Sequence, residues 1–255
     1  MHARVSAETL NALRLLDCCS VANAVEAFDV RLRNEGFSEP RLCCWFPKLP
    51  PMVGYATTLR VRASSPPSKG NTYLDRTDWW RHLEAVPGPR VMVIQDMDNH
   101  AGRGAFVGEV HANILKALGC VGIVTDGAVG DLAAIEELNF QLFSERVSVS
   151  HAYVHVVEFG TPVEVAGLQV RPGDLLHGDQ NGLLRIPLEI AKDIPDIATD
   201  LREREKQIIA YSRSAEFSVA GLCALLEEGG AAKTLEPFLA EMFGLCRDFR
   251  SATLT

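Results

Sequence analysis

A chain of 255 residues holds one sizeable domain, or one domain with an appendage. At 47% hydrophobic and 23% charged it has the make-up of a soluble globular protein, and a formal charge of −8 excludes a broad basic surface for nucleic acid. No apolar run approaches the roughly 20 residues that span a bilayer, so no membrane partner is expected.

Ser6 reads as the N-cap of a first helix in SAETLNALRLLDCC, and a second short helix starts at Ser20. MVGYATTLRVRAS alternates as a strand and breaks at Ser64-Ser65-Pro66-Pro67. SSPPSKGNTYLDR then reads as a loop, and TDWWRHLEAV as a short helix capped by Thr77 or Asp78. PRVMVIQDMD is a buried strand ending in acids. After it, a Gly-rich segment leads into a helix near Gly108, with Val110, Ile114, Leu115 and Leu118 on one side. CVGIVTDG is a second buried strand and DLAAIEEL a helix, while QLFSERVSVSHAYVHVVEFG holds at least two strands. PVEVAGLQVRPGDLLHGDQNGLLRIP is a run of short strands between AG, RPGD and DQNG turns. From Pro195 the chain is helical, with a last helix running through Leu245. The pattern predicts a mixed α/β domain over residues 1–212 and a helical extension over 213–255.

MHARVSAETLNAL lacks the long apolar core of a secretory leader, which sets a cytoplasmic expectation. Seven cysteines are present, at 18, 19, 43, 44, 120, 223 and 246, with no C-x-x-C spacing. They fit reduced, mostly buried thiols better than a disulfide framework or a zinc site. Arg202, Arg204 and Lys206 alternate with Glu203 and Glu205, the pattern of a solvated helix.

Two places carry chemistry. Glycines at 102, 104 and 108 let backbone amides and a helix N-terminus approach an anion, or they form a plain loop. Asp131 stands after an apolar strand, where a carboxylate binds a hard cation such as Mg2+ or caps LAAIEEL. Asp126, Asp174 and Asp179 read as turn residues. His151 and His155 lie in strand-like sequence, where four residues span about 13 Å, too far for one metal. His177 reads as structural. His111, in the first turn after Gly108, is near any anion bound there.

GAFVGEVHANILKALGCVGIVTDGAVGDL resembles the central segment of the RraA-like family, and PVEVAGLQVRPGDLLHGDQNGLLRIP resembles its second signature block, in the same order. The family includes class II pyruvate aldolases acting on 4-hydroxy-4-methyl-2-oxoglutarate and 4-carboxy-4-hydroxy-2-oxoadipate. It also includes the regulator of ribonuclease E activity A, and proteins once labelled demethylmenaquinone methyltransferases. No glycine-rich nucleoside-binding turn supports that last activity here.

The resemblance implies an α/β/β/α sandwich of the swivelling, phosphohistidine-domain-like type, assembled as a homotrimer or a dimer of trimers. It implies a Mg2+- or Mn2+-dependent lyase releasing pyruvate from a 4-hydroxy-2-oxo acid, with oxaloacetate decarboxylation through the same enolate. The aldolases carry an acid, twenty intervening residues and Arg-Asp; here Glu109 is the acid, Asp131 is the Asp, and Gly130 stands at the Arg position. By the same resemblance Asp131 anchors the metal through its water shell, and the backbone at Gly108, Glu109, Val110 and His111 binds the substrate carboxylate. A glutamate of the neighbouring subunit, matching Glu203 or Glu205, completes the site. Arg103 is either a substitute for the missing guanidinium or an exposed loop residue. The alternative is a protein-binding regulator without catalysis, which the glycine at 130 favours and the retained Glu109 and Asp131 oppose.

Overall fold

In the computed structural model, which describes residues 4–67 and 77–228, two helices come first, α1 (Ala7–Leu13) and α2 (Cys18–Glu26). Ser6 caps α1 as its sequence implies: its Oγ accepts the Thr9 N–H at 3.1 Å. The second helix begins before Ser20. Asp17 is its cap, one carboxylate oxygen accepting the Ser20 N–H and the other the Ser20 hydroxyl, both at 2.8 Å. A charged acceptor at a helix N-terminus also meets the positive end of the dipole, so Asp17 takes the role Ser20 was expected to play.

The middle of the chain alternates between strand and helix. In order come β1 (Cys43–Cys44), β2 (Met52–Arg62), α3 (Asp78–Glu84), β3 (Arg90–Asp96), β4 (Ala105–Val107) and α4 (Glu109–Ala117). They are followed by β5 (Cys120–Val129), α5 (Leu132–Glu137) and β6 (Gln141–Val147). A hairpin-rich stretch then supplies β7 (His155–Phe159), β8 (Val163–Val165), β9 (Leu168–Val170), β10 (Leu175–Asp179) and β11 (Gly182–Ile186). The described chain closes with α6 (Ile194–Ser212) and α7 (Val219–Glu228).

Nine strands form one sheet in the order β1-β6-β5-β3-β2-β10-β11, with β4 added on β5 and β7 on β2, while β8 and β9 pair separately. The central ladder β2, β3, β5, β6 is parallel, and β10, β11, β7 and β1 join it antiparallel. Side-chain alternation divides the apolar residues among three cores. Val91, Val93 and Val124 face inward with Phe143 onto the β8–β9 hairpin. Met92, Ile94 and Ile123 face outward under Trp79, Leu83, Leu115 and Ile135 of α3, α4 and α5. At the far end, Val53 and Tyr55 pack with Val21, Val25, Ala198 and Leu201 of α2 and α6. The result is a mixed α/β fold whose sheet curls into a nearly closed barrel around the hairpin.

β2 was expected to bury alternate residues, yet nearly all of its length is buried. It lies in the middle of the ladder with a core on each face, the environment that removes amphipathic alternation. On α4 the buried residues are His111, Ala112 and Leu115, whereas Val110 is 64% exposed and faces outward. Asp126 is no turn residue: it lies inside β5, at a bulge between Thr125 and Ala128. Asp174 is one, accepting the Arg171 N–H at 2.8 Å. The thiols are less uniformly buried than expected, with Cys18 and Cys120 inside but Cys19 and Cys43 exposed. Residues 68–76 of the loop after β2, and the last helix through Leu245, lie outside the described residues.

His177 is structural, as its sequence setting implied. Its Nε2 lies 3.1 Å from the carbonyl oxygens of both Leu13 and Leu16, which only accept, so Nε2 carries the proton. Nδ1 is then the acceptor for the Cys18 thiol at 3.1 Å. Asp179 is not confined to its turn either: one oxygen accepts the Asn181 N–H and the other the Cys18 N–H, at 2.7 and 2.8 Å. Burial holds His177 below the usual imidazole range and pushes the Cys18 thiol well above its own, so the pair is neutral and ties α1 and α2 to β10.

Candidate active site at the start of helix α4

The parallel strands β4 and β5 end side by side, with Val107 opposite Val129. Each runs directly into a helix, α4 after Gly108 and α5 after Gly130-Asp131. Two helix N-termini are thereby brought together at the carboxyl ends of parallel strands. The Gly130 N–H donates to the Val107 carbonyl at 2.8 Å, which fixes the spacing of the two exits.

Asp131 occupies the cap position of α5 but does not cap it with its side chain. Its backbone is left-handed, with φ 51° and ψ 39°, a conformation Asp tolerates better than most residues. This geometry turns the carboxylate away from its own helix and across to α4, where Oδ2 accepts the Glu109 N–H at 3.0 Å. Asp131 is exposed, and so are Glu109 and Val110. The fold thus brings Gly108, Glu109, Val110, Gly130 and Asp131 to one place.

Gly108 makes that approach possible. A Cβ at this position would lie 2.5 Å from Asp131 Oδ2, and the glycine itself is extended, at φ −130°, so close contact rather than backbone strain demands it. Gly108→Ala is expected to push the Asp131 carboxylate off the Glu109 amide and to cost about 0.5–1.5 kcal/mol through the lost hydrogen bond, since the displaced atom is the tip of an exposed side chain. A lowered melting temperature together with loss of any stabilisation by Mg2+ checks this; an unchanged Mg2+ response would show that the contact does not position Asp131.

His111 does not take part through its side chain. It is 2% exposed, its imidazole stacks on Phe106 at 4.7 Å between ring centres, and Trp79 lies on it at 6.2 Å. Burial pulls its pKa down to about 4, which leaves it neutral. The His111 backbone amide lies in the first turn of α4.

At Gly130 there is room. A Cβ there would meet Ser148 O at 3.5 Å, Ala105 Cβ at 3.8 Å and Val107 O at 4.0 Å, all ordinary contacts. Ser148, which sequence reasoning missed, braces this corner. Its N–H donates to the Val129 carbonyl at 3.0 Å, and its hydroxyl lies 3.3 Å from the carbonyls of both Arg103 and Ser150. No local pattern marks it, because its partners come from β5 and from the segment before β4. Arg103 is exposed beside this corner.

Glu203 and Glu205 are not brought to Asp131 within the chain. Glu203 pairs with Lys206 at 2.6 Å, and Glu205 accepts from Asn23 Nδ2 of α2 at 3.3 Å, on the face of the sheet that α6 covers. The two histidines of HAYVHVV do not meet: His151 Nδ1 donates to the Ala105 carbonyl at 2.7 Å and His155 Nδ1 to the Tyr153 carbonyl at 2.8 Å.

Among the described residues no group of three or more His, Cys, Asp or Glu side chains is arranged to hold a metal. The donor set at Asp131 fits a different kind of ion. With Oδ2 engaged by the Glu109 amide, Oδ1 remains to face a hydrated hard cation, which typically keeps most of its waters and takes one or two carboxylates. Mg2+ and Mn2+ suit such oxygen-only sites.

The chain matches the RraA-like family, described as Aldolase/RraA, over residues 19–185. A protein of Halalkalibacterium halodurans, provisionally named a 4-hydroxy-4-methyl-2-oxoglutarate aldolase, is 28% identical over 57% of this chain and 67% of its own length. Of two further curated relatives the match covers 45% and 24% of the length. The fold is similar to that of an uncharacterized Pseudomonas syringae pv. tomato protein, at TM-score 0.68 and 20% identity, over 89% of this chain and 97% of that one. It is similar too to Streptomyces coelicolor RraAS2, described as an unusual member of the RNase ES inhibitor RraA family. That match has a TM-score of 0.63 and 22% identity, over 81% of this chain and 98% of the other.

Proposed function

We propose, from the premise that this chain belongs to the RraA-like family, that it is a divalent-cation-dependent lyase releasing pyruvate from a 4-hydroxy-2-oxo acid by retro-aldol cleavage. The observation that carries this reading is the Asp131 carboxylate, directed by a left-handed backbone across to the N-terminus of α4 instead of onto its own helix.

Retro-aldol cleavage gives the proton of the C4 hydroxyl to water, makes C4 a carbonyl as the C3–C4 bond breaks, and sends that bond's electrons onto the C2 oxygen. Negative charge gathers on this one oxygen until water protonates the enolate at C3 and pyruvate forms. The first-turn amides of Val110 and His111, at the positive end of α4, bind the substrate carboxylate and fix the oxo acid relative to Asp131. Glu109 donates its N–H to Asp131 and so holds the carboxylate in register, while its own exposed carboxylate would hold metal-bound waters. A Mg2+ or Mn2+ ion tethered at Asp131 supplies, when bound, the fixed positive charge that the developing enolate and a decarboxylating oxaloacetate both require. The same reading includes a homotrimer or dimer of trimers in which Glu203 or Glu205 of α6 serves a neighbour's site. It also includes an α/β/β/α sandwich of the swivelling type over residues 1–212 and a helical extension over 213–255.

A second reading rests on Gly130. Without a guanidinium beside Asp131, the site carries one fewer fixed positive charge, and a regulator that binds another protein needs none. Pyruvate release from 4-hydroxy-4-methyl-2-oxoglutarate, 4-carboxy-4-hydroxy-2-oxoadipate and oxaloacetate, coupled to lactate dehydrogenase with Mg2+, Mn2+ or chelator, separates the two. Cation-dependent release from at least one substrate is expected. No release from any oxo acid under any of these conditions would overturn the lyase and favour the regulator.

A further inference from the structure

Three carboxylates crowd the strand ends behind the candidate site. Asp96 ends β3, Asp126 lies at the β5 bulge, and Glu145 is on β6, the three strands being neighbours in the sheet. Their partners differ in kind. Asp96 accepts two backbone amides, Asp98 N–H on Oδ1 at 3.0 Å and Gly102 N–H on Oδ2 at 2.7 Å, and so pins the turn from 97 to 102. Glu145 pairs with Arg41 at 2.8 Å. Asp126 accepts the Asp96 N–H at 2.7 Å and its own backbone N–H.

Among the described residues the charged groups set against this cluster are Arg41, Arg62, Arg146 and Asp98, and His100 lies in the turn itself. Arg146 of β6 lies beside Asp96, donates to the Ala101 carbonyl at 2.8 Å, and fills the space under Gly102, where a Cβ would meet its Cδ at 2.5 Å. Asp98 accepts the Ala63 and Ser64 amides at 2.8 and 2.7 Å and lies 3.5 Å from Arg62 of β2. Among the described residues Arg146 faces Asp96, whose carboxyl burial also pushes up, Arg62 faces Asp98 and Arg41 faces Glu145, while no arginine or lysine is paired with Asp126.

We propose that Asp126 is a proton-operated latch on the Asp96–Gly102 turn, and through that turn on the Arg103–Ala105 segment leading into β4 and the start of α4. With the carboxyl protonated, the cluster carries no unmatched charge. Ionisation strengthens the bond from the Asp96 N–H but sets a further negative charge against the Asp96 and Glu145 side chains, and the element that yields is the turn that the Asp96 carboxylate holds. Burial, the largest cause, outweighs the opposing hydrogen bond from the Asp96 amide and, with repulsion from Asp96 and Glu145, pushes Asp126 up to about 7, against an ordinary value of 3.8.

The sign follows from linkage. A carboxyl whose proton is held more tightly in the closed state favours closure at low pH, and that advantage fades as pH rises through the closed-state value. Its effect on turnover rests on the lyase reading; the latch itself does not.

Amide hydrogen exchange of residues 98–105 tests it on the full chain, with neither substrate nor cation present. After correction for intrinsic rates, wild-type protection is expected to fall by up to roughly tenfold per pH unit between about pH 5 and 7 and to level off above. Asp126→Asn, neutral and able to accept the same amide, is expected to show no such slope. A flat wild-type profile, or an equal slope in the variant, overturns the latch. Should the variant fail to fold, the wild-type exchange profile and an NMR titration of the Asp126 carboxyl carbon decide together. A midpoint near 4 overturns the proposal; one near neutrality that coincides with the loss of protection upholds it. An inactive protein with a working latch would refute the lyase and leave this inference standing.

Discussion

Asp131→Ala is expected to abolish the rise in melting temperature that Mg2+ or Mn2+ produces and to lower pyruvate release by on the order of 10³, the rate equivalent of several kcal/mol of charge stabilisation. The geometry isolates this residue. No other acid completes a metal-binding group there among the described residues, and Oδ2 is already spent on the Glu109 amide. Removing the carboxylate deletes the tether, leaves that amide without its acceptor, and puts Ala in a left-handed backbone that disfavours it by about 1–2 kcal/mol. Asp131→Asn separates these effects, because Asn tolerates the same backbone and its oxygen still accepts the amide, yet it carries no charge. The Asn variant should fold like the wild type and lose the cation response. If the cation raises the melting temperature of Asp131→Ala as much as that of the wild type, Asp131 is not the tether.

Gly130→Arg is expected to raise pyruvate release by roughly 10²–10³, the usual worth of one donor aimed at a developing oxyanion. The structure accommodates the change. Gly130 is not in the left-handed region, its amide bond to Val107 is a backbone bond that any residue but proline keeps, and its Cβ would meet nothing closer than 3.5 Å. The added guanidinium would start one residue from Asp131, where its charge supports an enolate and does not replace the cation. Stability should therefore change little while rate rises and cation dependence persists. An inert, stably folded Gly130→Arg would show that the site departs from an aldolase in more than one charge.

The grouping of Glu109 with Asp131 was implied by the family resemblance, and the sheet supplies a physical ground for it. Glu109 and Asp131 each follow the end of a parallel strand, and adjacent parallel strands deliver such residues to the same edge of the sheet. What could not be read depends on contacts across the chain. β4 is three residues flanked by glycines, too short to show alternation, and exists because it pairs with β5. Asp126 looked like a turn because Asp-Gly usually is one; here the ladder continues past it and the residue becomes a bulge. His111 lies in the first turn of α4 as read, but Val110, set on the apolar side, is exposed and His111 is buried instead, since only the packing of Trp79 and Phe106 shows which face of the helix is covered. Asp17 beside Ser20 was the reverse case. The acid three residues ahead of the serine was a cap signal available in the sequence and passed over.

The core beneath α1 and α2 is built from Leu10, Leu13, Val21 and Val25 on one side and Leu184, Ile186, Ile194, Ala198 and Leu201 on the other. During synthesis on a ribosome, the early helices therefore emerge long before the residues that shelter them. Their apolar stripes wait in water, or in the care of a chaperone, until nearly two hundred residues have been made. A nascent chain stalled before Leu184 would carry that stripe uncovered, and its tendency to aggregate should drop once α6 has cleared the exit tunnel.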